Sequence, residues 1–269
     1  MIDLHSHILP GIDDGSPDVD VSLAMARLAL DDGIRIMACT PHVVPGLYEN
    51  TLTSIQKDVA QLQSRLEEES IGLKLVVGAD VHLASDLHRN LGVSIPTLHN
   101  SRYFLFEPPH NLLPPGLENY SNTLLQNGFI PIITHPERLK WVEAHYDLVA
   151  RMNDRGCLIQ ITAGAITGGF GAAAEKLALR FLEEGRIDVL ATDTHNLTGR
   201  PPVLSDARDL VAKIQGEEEA NAMVLKRPLA ILKNEALEPV GKGALVTIEK
   251  PKVRQGFFKR LKSKVTNTR

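Results

Sequence analysis

Ile2-Asp3-Leu4-His5-Ser6-His7, followed by Asp13-Asp14-Gly15, is the stretch on which the reading of this chain turns. A short apolar run reads as a buried strand, and here it passes straight into two histidines. Side chains two apart in a strand point to the same face. His5 and His7 can therefore present two imidazoles to one metal ion at the carboxyl end of a first strand.

The same plan recurs along the chain. Apolar, β-rich runs at residues 2–5, 34–39, 73–77, 103–106, 130–134, 158–161 and 189–191 alternate with amphipathic stretches at 19–31, 51–69, 117–127, 140–153, 172–184, 203–213 and 217–226. The strands are apolar on both faces, as buried parallel strands are. Alternation of strand and helix predicts a parallel α/β sheet or barrel. Seven strands with no Gly/Ser or Pro linker between them favour one barrel over two domains. Gly33, Gly128, Gly156 and Gly185 each follow a predicted helix, where a left-handed C-terminal cap belongs. Asp18 and Asn50 precede helices and read as N-caps. Gly168-Gly169-Phe170-Gly171 lacks the third glycine and the lysine of a phosphate loop and reads as a flexible loop.

The composition of the 269 residues, 43% hydrophobic and 23% charged, is that of an ordinary globular protein. No apolar run approaches the length of a membrane span, and the first residues lack the basic region and apolar core of a signal peptide. Two cysteines make no disulfide framework, so the expected compartment is reducing and cytoplasmic. Residues 250–269 hold eight basic and no acidic side chains, leaving 21 basic against 33 acidic on the rest. An acidic body favours divalent cations and argues against nucleic acid as a partner. The predicted organisation is a barrel domain over 1–238 and a flexible basic tail over 239–269. A solvated tail is its plain reading, and contact of its Phe257-Phe258 turn with an anionic membrane or acidic partner the alternative.

The chemistry gathers at strand ends. After the first strand come Cys39-Thr40-Pro41-His42, Gly78-Ala79-Asp80-Val81-His82, Phe106-Glu107, Thr134-His135-Pro136-Glu137-Arg138 and Thr192-Asp193-Thr194-His195. Active sites of α/β barrels form at that end. So many ionisable groups packed together without a cation would cost several kcal/mol in desolvation and repulsion. Mixed imidazole and carboxylate donors without cysteine suit Mn, Fe, Zn, Co or Mg and do not choose among them. The donors are too many for one ion. Two or three ions about 3.5–4 Å apart would clamp displacement at phosphorus and lower the pKa of a bound water. Arg138 and Arg200 lie just beyond these runs, and guanidinium forks match phosphate oxygens. A cysteine phosphatase would need Arg where Pro45 and Ala163 stand, and no Gly-x-Ser-x-Gly elbow occurs.

Together, His5-Ser6-His7, Asp13-Asp14-Gly15, Pro41-His42, Ser101-Arg102-Tyr103, His135-Pro136-Glu137-Arg138 and Asp193-Thr194-His195-Asn196-Leu197 with Arg200-Pro201-Pro202 resemble the polymerase-and-histidinol-phosphatase (PHP) superfamily. Within it they resemble the bacterial manganese-dependent tyrosine-protein phosphatases of capsule and exopolysaccharide operons, over residues 1 to about 235. The resemblance implies a distorted seven-stranded β/α barrel with up to three metals, Mn2+ first among them. The first would take His5, His7, Asp80 and Asp193, the second Asp80, Glu107 and His135, and the third Asp14, His42 and His195. Arg138 and Arg200 would bind phosphate. Asp80 stands where the family usually has a glutamate, one methylene longer, and the neighbouring His82 reads as an outer residue. The implied substrate is phosphotyrosine on a protein, the tail of a bacterial tyrosine kinase that controls polysaccharide synthesis. A small-molecule phosphatase acting on a histidinol-phosphate-like substrate, and a metal-bound regulator without turnover, are the competing readings.

Overall fold

The computed structural model describes residues 1–83 and 95–237. The predicted tail, with its membrane contact, lies outside the described residues. All ladders between the strands are parallel. One sheet holds β1 (Ile2–Asp3), β2 (Ile36–Cys39) and β4 (Lys74–Val77), in that order. The other holds β3 (His42–Val43), β5 (Asp80–His82), β6 (Tyr103–Glu107), β7 (Ile130–Thr134), β8 (Leu158–Thr162) and β9 (Val189–Ala191). Each of the seven predicted runs contains a strand; β3 and β5 are additional.

The two sheets share chain segments. Residues 36–43 and 74–82 each run through a strand of the first sheet and then one of the second. The first break falls at Pro41, which has no N–H for a ladder and offers only its carbonyl, to Asp80 N at 3.1 Å. The second falls at Gly78, where a Cβ would sit 2.8 Å from Leu98 and 2.9 Å from Thr40. At the far edges, Ser6 and Thr194 form a parallel bridge, with His7 N donating to Thr194 O at 2.9 Å.

One small apolar cluster joins Ile2, Leu4, Ala38, Val76, Leu105, Ile132 and Val189 to Ile231 and Leu232. The larger cluster lies between strands and helices and includes Met37, Phe104, Phe106, Ile133, Ile159 and Leu190. The alternation has a functional consequence. On β6, Leu105 packs in the small cluster, and Glu107, on the same face, ends among ionisable groups. The face is apolar at its amino end and polar at its carboxyl end.

Helices α1 (Val19–Asp31), α2 (Leu52–Glu68), α3 (Leu117–Gln126), α4 (Tyr146–Asp154), α5 (Ala163–Ile166), α6 (Ala172–Glu183), α7 (Ser205–Gln215), α8 (Glu217–Asn221) and α9 (Arg227–Leu232) pack around the strands. Asp18 caps α1, and Gly33, Gly128, Gly156 and Gly185 all have positive φ, as expected. Asn50 is not a cap. Thr51 takes that role through a capping box with Ser54. The Asn50 amide instead donates to His42 O (2.8 Å) and Ile12 O (3.2 Å), tying two loops of the site together.

Three helix boundaries depart from expectation. α4 starts at Tyr146 because residues 140–145 turn back onto the loop after β6: Lys140 N donates to His110 O, and Trp141 Nε1 to Pro109 O, both at 2.9 Å. α7 starts at Ser205, where the Asp32 carboxylate accepts from Leu204 N and Ser205 N at 2.7 and 3.0 Å, a cap borrowed from α1. α8 continues through a π turn (Ala222–Lys226) into α9, whose Pro228 sits in the first turn, where a missing N–H costs little.

Candidate metal centre

The first strand delivers its two histidines together, both buried. Their Nε2 atoms are 3.2 Å apart, and Asp193 Oδ1 lies 3.3 Å from each. Two ligand atoms each about 2.1 Å from one ion would stand about 3.0–3.4 Å apart at octahedral to tetrahedral angles. The triangle therefore has the dimensions of three ligands on one cation. The other ring nitrogens fix the orientation: His5 Nδ1 meets Gln160 Oε1 at 2.9 Å, and His7 Nδ1 meets Asp13 Oδ2 at 2.7 Å. Such partners hold an imidazole in the tautomer that leaves Nε2 free.

Three further groups of donors adjoin the first: His7, Asp14, His42 and His195; Glu107, His110 and His135; and His42, Asp80 and Glu107. Asp14 Oδ1 is 3.5 Å from His42 Nε2 and 3.4 Å from His195 Nε2. Glu107 Oε1 is 3.6 Å from His135 Nε2 and 3.1 Å from His110 Nε2. Asp80 Oδ2 stands between groups, 3.4 Å from His5 Nε2 and 3.6 Å from His42 Nδ1. All nine expected metal-site residues thus meet at one mouth. His82 belongs to none of these groups. His110, absent from the sequence-based set, does.

The residues present fit divalent cations. Asp80 Oδ1 and Oδ2, Asp193 Oδ1, His42 Nδ1 and His195 Nε2 are buried without a hydrogen-bond partner. Such atoms cost about 1–3 kcal/mol each when nothing satisfies them. The donors are nitrogen and oxygen; Cys39 and Cys157 lie in the apolar core, where burial pushes both thiols upward.

Charge is tightly coupled here. Burial works to lower the His5 imidazole, but the Asp193 and Asp80 carboxylates outweigh it and raise it to about 9. His42, likewise opposed by burial, is raised to about 10 by Glu107, Asp80 and Asp14. Against the desolvation that would raise them, Asp193 and Glu107 are held well below the usual carboxylate range by the surrounding imidazoles and, for Asp193, the arginines. His135 is held low by burial and by Arg138. An imidazole must be neutral to ligate, so protons compete with cations at His5 and His42 throughout the neutral range. Apparent affinity for Mn2+ should rise by about tenfold or more per pH unit from pH 6 to 8, as at least one proton is displaced per ion. Titration calorimetry at three pH values would read this; an affinity independent of pH would contradict it.

Backbone shape aims the last donors. His135 (φ 36°) and Asp193 (φ 51°) both lie in the left-handed region, at the ends of β7 and β9. A side chain there costs roughly 1–2 kcal/mol and marks a position held by its surroundings. Asp193 Oδ2 accepts from Arg138 Nη1 and from Arg200 Nη2 (2.5 Å), while Oδ1 faces the histidines. Asn196 Oδ1 organises the turn that carries Arg200, accepting from Thr198 N, Gly199 N and Arg200 N at 2.7–3.1 Å. Sequence reading missed the orienting roles of Asp13, Gln160 and Asn196. Asp13 and Asn196 stood within the quoted motifs without an assigned role, and Gln160 shows in the sequence only as a polar residue inside an otherwise apolar run.

Comparison with known proteins agrees with this geometry. The chain is 33% identical over 219 residues to the tyrosine-protein phosphatase YwqE of Bacillus subtilis, covering 81% of this chain and 86% of that protein. It is 31% identical over 247 residues to the tyrosine-protein phosphatase CpsB of Streptococcus pneumoniae, covering 88% of this chain and 100% of that one. A crystal structure from work on YwqE and CpsB, described as unique metal-dependent tyrosine phosphatases, superposes with a TM-score of 0.85 at 31% identity, covering 91% of this chain and 100% of that one. Residues 1–233 match the capsular polysaccharide synthesis family CpsB/CapC, and the chain belongs to that family.

Proposed function

We propose that this protein is a metal-dependent protein-tyrosine phosphatase of capsular or exopolysaccharide synthesis. Its substrate would be the phosphotyrosine-bearing tail of a bacterial tyrosine kinase, met in the cytoplasm. The observation that carries the reading is the triangle of His5, His7 and Asp193, with buried, unpartnered donors around it. His5, His7, Asp14, His42, Asp80, Glu107, His135, Asp193 and His195 would hold two or three ions, Mn2+ foremost. When bound, such ions supply an activated water and neutralise charge on a transferring phosphoryl group. The protein's own part is orientation. Gln160 and Asp13 fix the two histidines, and Asp193 holds Arg138 and Arg200 side by side. Two guanidinium groups so placed would grip phosphate oxygens and keep the phosphorus over the donors.

We further propose that the shared segments 36–43 and 74–82, with the Ser6–Thr194 bridge, make the two sheets one distorted seven-stranded barrel forming a domain over 1–238.

Hydrolysis of a phosphotyrosyl peptide with Mn2+, abolished by chelation, tests the reading. Preference for histidinol phosphate would replace the substrate, and absence of turnover would leave a regulator. Arg138→Ala is expected to lower kcat/KM by about 10- to 100-fold, the worth of a charged hydrogen bond to phosphate. Metal content, by atomic absorption, should not fall; loss of metal would assign Arg138 a different role.

A further inference from the structure

A cavity of about 340 Å3 opens beside Arg138, lined by His110, Leu139, Phe170, Ala174 and Leu177 among others. One side belongs to the donor mouth and the other to the β8–α6 connection and α6. Arg138 is common to both: its Nη1 bonds Asp193, and its guanidinium carbon lies 4.6 Å from the Phe170 ring centroid. Phe170 sits in the Gly168-Gly169-Phe170-Gly171 segment, which the sequence suggests is a flexible loop. The structure instead shows a closed turn. Gly169 N donates to Gly164 O at 2.7 Å, and a Cβ on Gly169 would stand 2.9 Å from that oxygen. A Cβ on Gly164 would press on the Phe170 ring at 3.1 Å. These glycines let the aromatic ring lie close against the backbone, next to the guanidinium.

We propose that this cavity receives the aromatic ring of the phosphotyrosine, and that Phe170 is the residue that makes the site prefer aryl over alkyl phosphates. The inference rests on the phosphatase reading above. A phosphate gripped by Arg138 carries its ester group at the guanidinium's edge, and the space adjoining that edge is apolar on its far wall. A phenyl ring placed there exchanges water for Leu139, Leu177 and the Phe170 ring, and gains an offset or edge-to-face aromatic contact. An alkyl ester is too small to reach that wall and has no π-face. Continuity through Arg138 makes the ring, rather than a neighbouring residue of the substrate, the fitting occupant.

The test uses the full chain with Mn2+ and substrates that lack flanking peptide, O-phosphotyrosine and O-phosphoserine, with inorganic phosphate as competitive inhibitor. Phe170→Ala should lower kcat/KM for phosphotyrosine by about tenfold, the upper worth of one aromatic contact. The inhibition constant of phosphate should change less than about threefold, since Arg138 keeps its Asp193 anchor. Ala173→Trp, filling the cavity from an exposed position on α6, should raise KM for phosphotyrosine by a similar factor and leave phosphate inhibition unaltered. Equal losses for phosphotyrosine and phosphate would mean that Phe170 only steadies Arg138, and would overturn the inference. Unchanged kinetics in both variants, or a loss for O-phosphoserine as large as that for O-phosphotyrosine, would do the same. Wild-type protein inert toward both O-phosphotyrosine and a phosphotyrosyl peptide would instead overturn the phosphatase reading itself.

Discussion

His5→Ala is expected to reduce turnover of a phosphotyrosyl peptide at least about a thousandfold, a loss of roughly 4 kcal/mol of transition-state stabilisation. His5 Nε2 lies within 3.2–3.4 Å of His7, Asp193 and Asp80, so its removal opens the centre of the cluster. The remaining carboxylates then face one another with one imidazole fewer between them, and cation affinity falls with the lost ligand. The fold should persist, because His5 lies beyond the two-residue ladder of β1 and the neighbouring backbone bonds, His7 N to Thr194 O and Asp193 N to His5 O, involve no side chain. The variant should therefore keep a native circular-dichroism spectrum and bind less manganese. His135→Ala should behave alike. Full activity in either protein would remove the metal centre from the mechanism.

Gly15→Ala should be the most damaging substitution at a residue that itself carries no ionisable group. A Cβ on Gly15 would stand 2.2 Å from His7 O and 2.4 Å from His7 Cβ. No rotamer relieves such a clash, because most of the opposing atoms are backbone. The loop folds tightly back on that residue: Ser16 N donates to His7 O at 3.0 Å, and Gly11 N to Ser16 O at 2.8 Å. Either the loop or the histidine must yield. Overpacking of this kind costs about 1–3 kcal/mol of stability. Displacing His7 by an ångström would cost about a hundredfold in rate. Gly72→Ala is the control, since a Cβ there meets nothing within 4 Å. Thermal melts and kcat for the two variants should separate cleanly; equivalence between them would show that the loop yields without consequence.

The strand frame was legible because buried parallel strands are apolar on both faces, and every predicted run holds one. β3 and β5 were not, because two or three residues after a proline or glycine break carry no periodicity. The meeting of His5, His7, Asp80, Glu107, His135 and Asp193 could be anticipated from strand ends alone. His110 could not: it stands in an irregular loop after Pro108-Pro109, and tertiary bonds from Lys140 N and Trp141 Nε1 pin that loop over the mouth. Asn50 was misread for a related reason. Its residue type suits a cap, and the competing use, a tie between two distant loops, is a tertiary contact that local spacing does not record.

Asp193 gives one oxygen to the imidazoles and the other to two guanidinium groups. A single carboxylate so divided makes occupancy on its two sides interdependent. Whatever draws the arginines away strengthens that carboxylate's hold on its opposite neighbours, and by thermodynamic reciprocity the converse follows with the same factor. An oxyanion and a cation would then arrive more tightly together than separately, and release of product would loosen the ion that helped to make it.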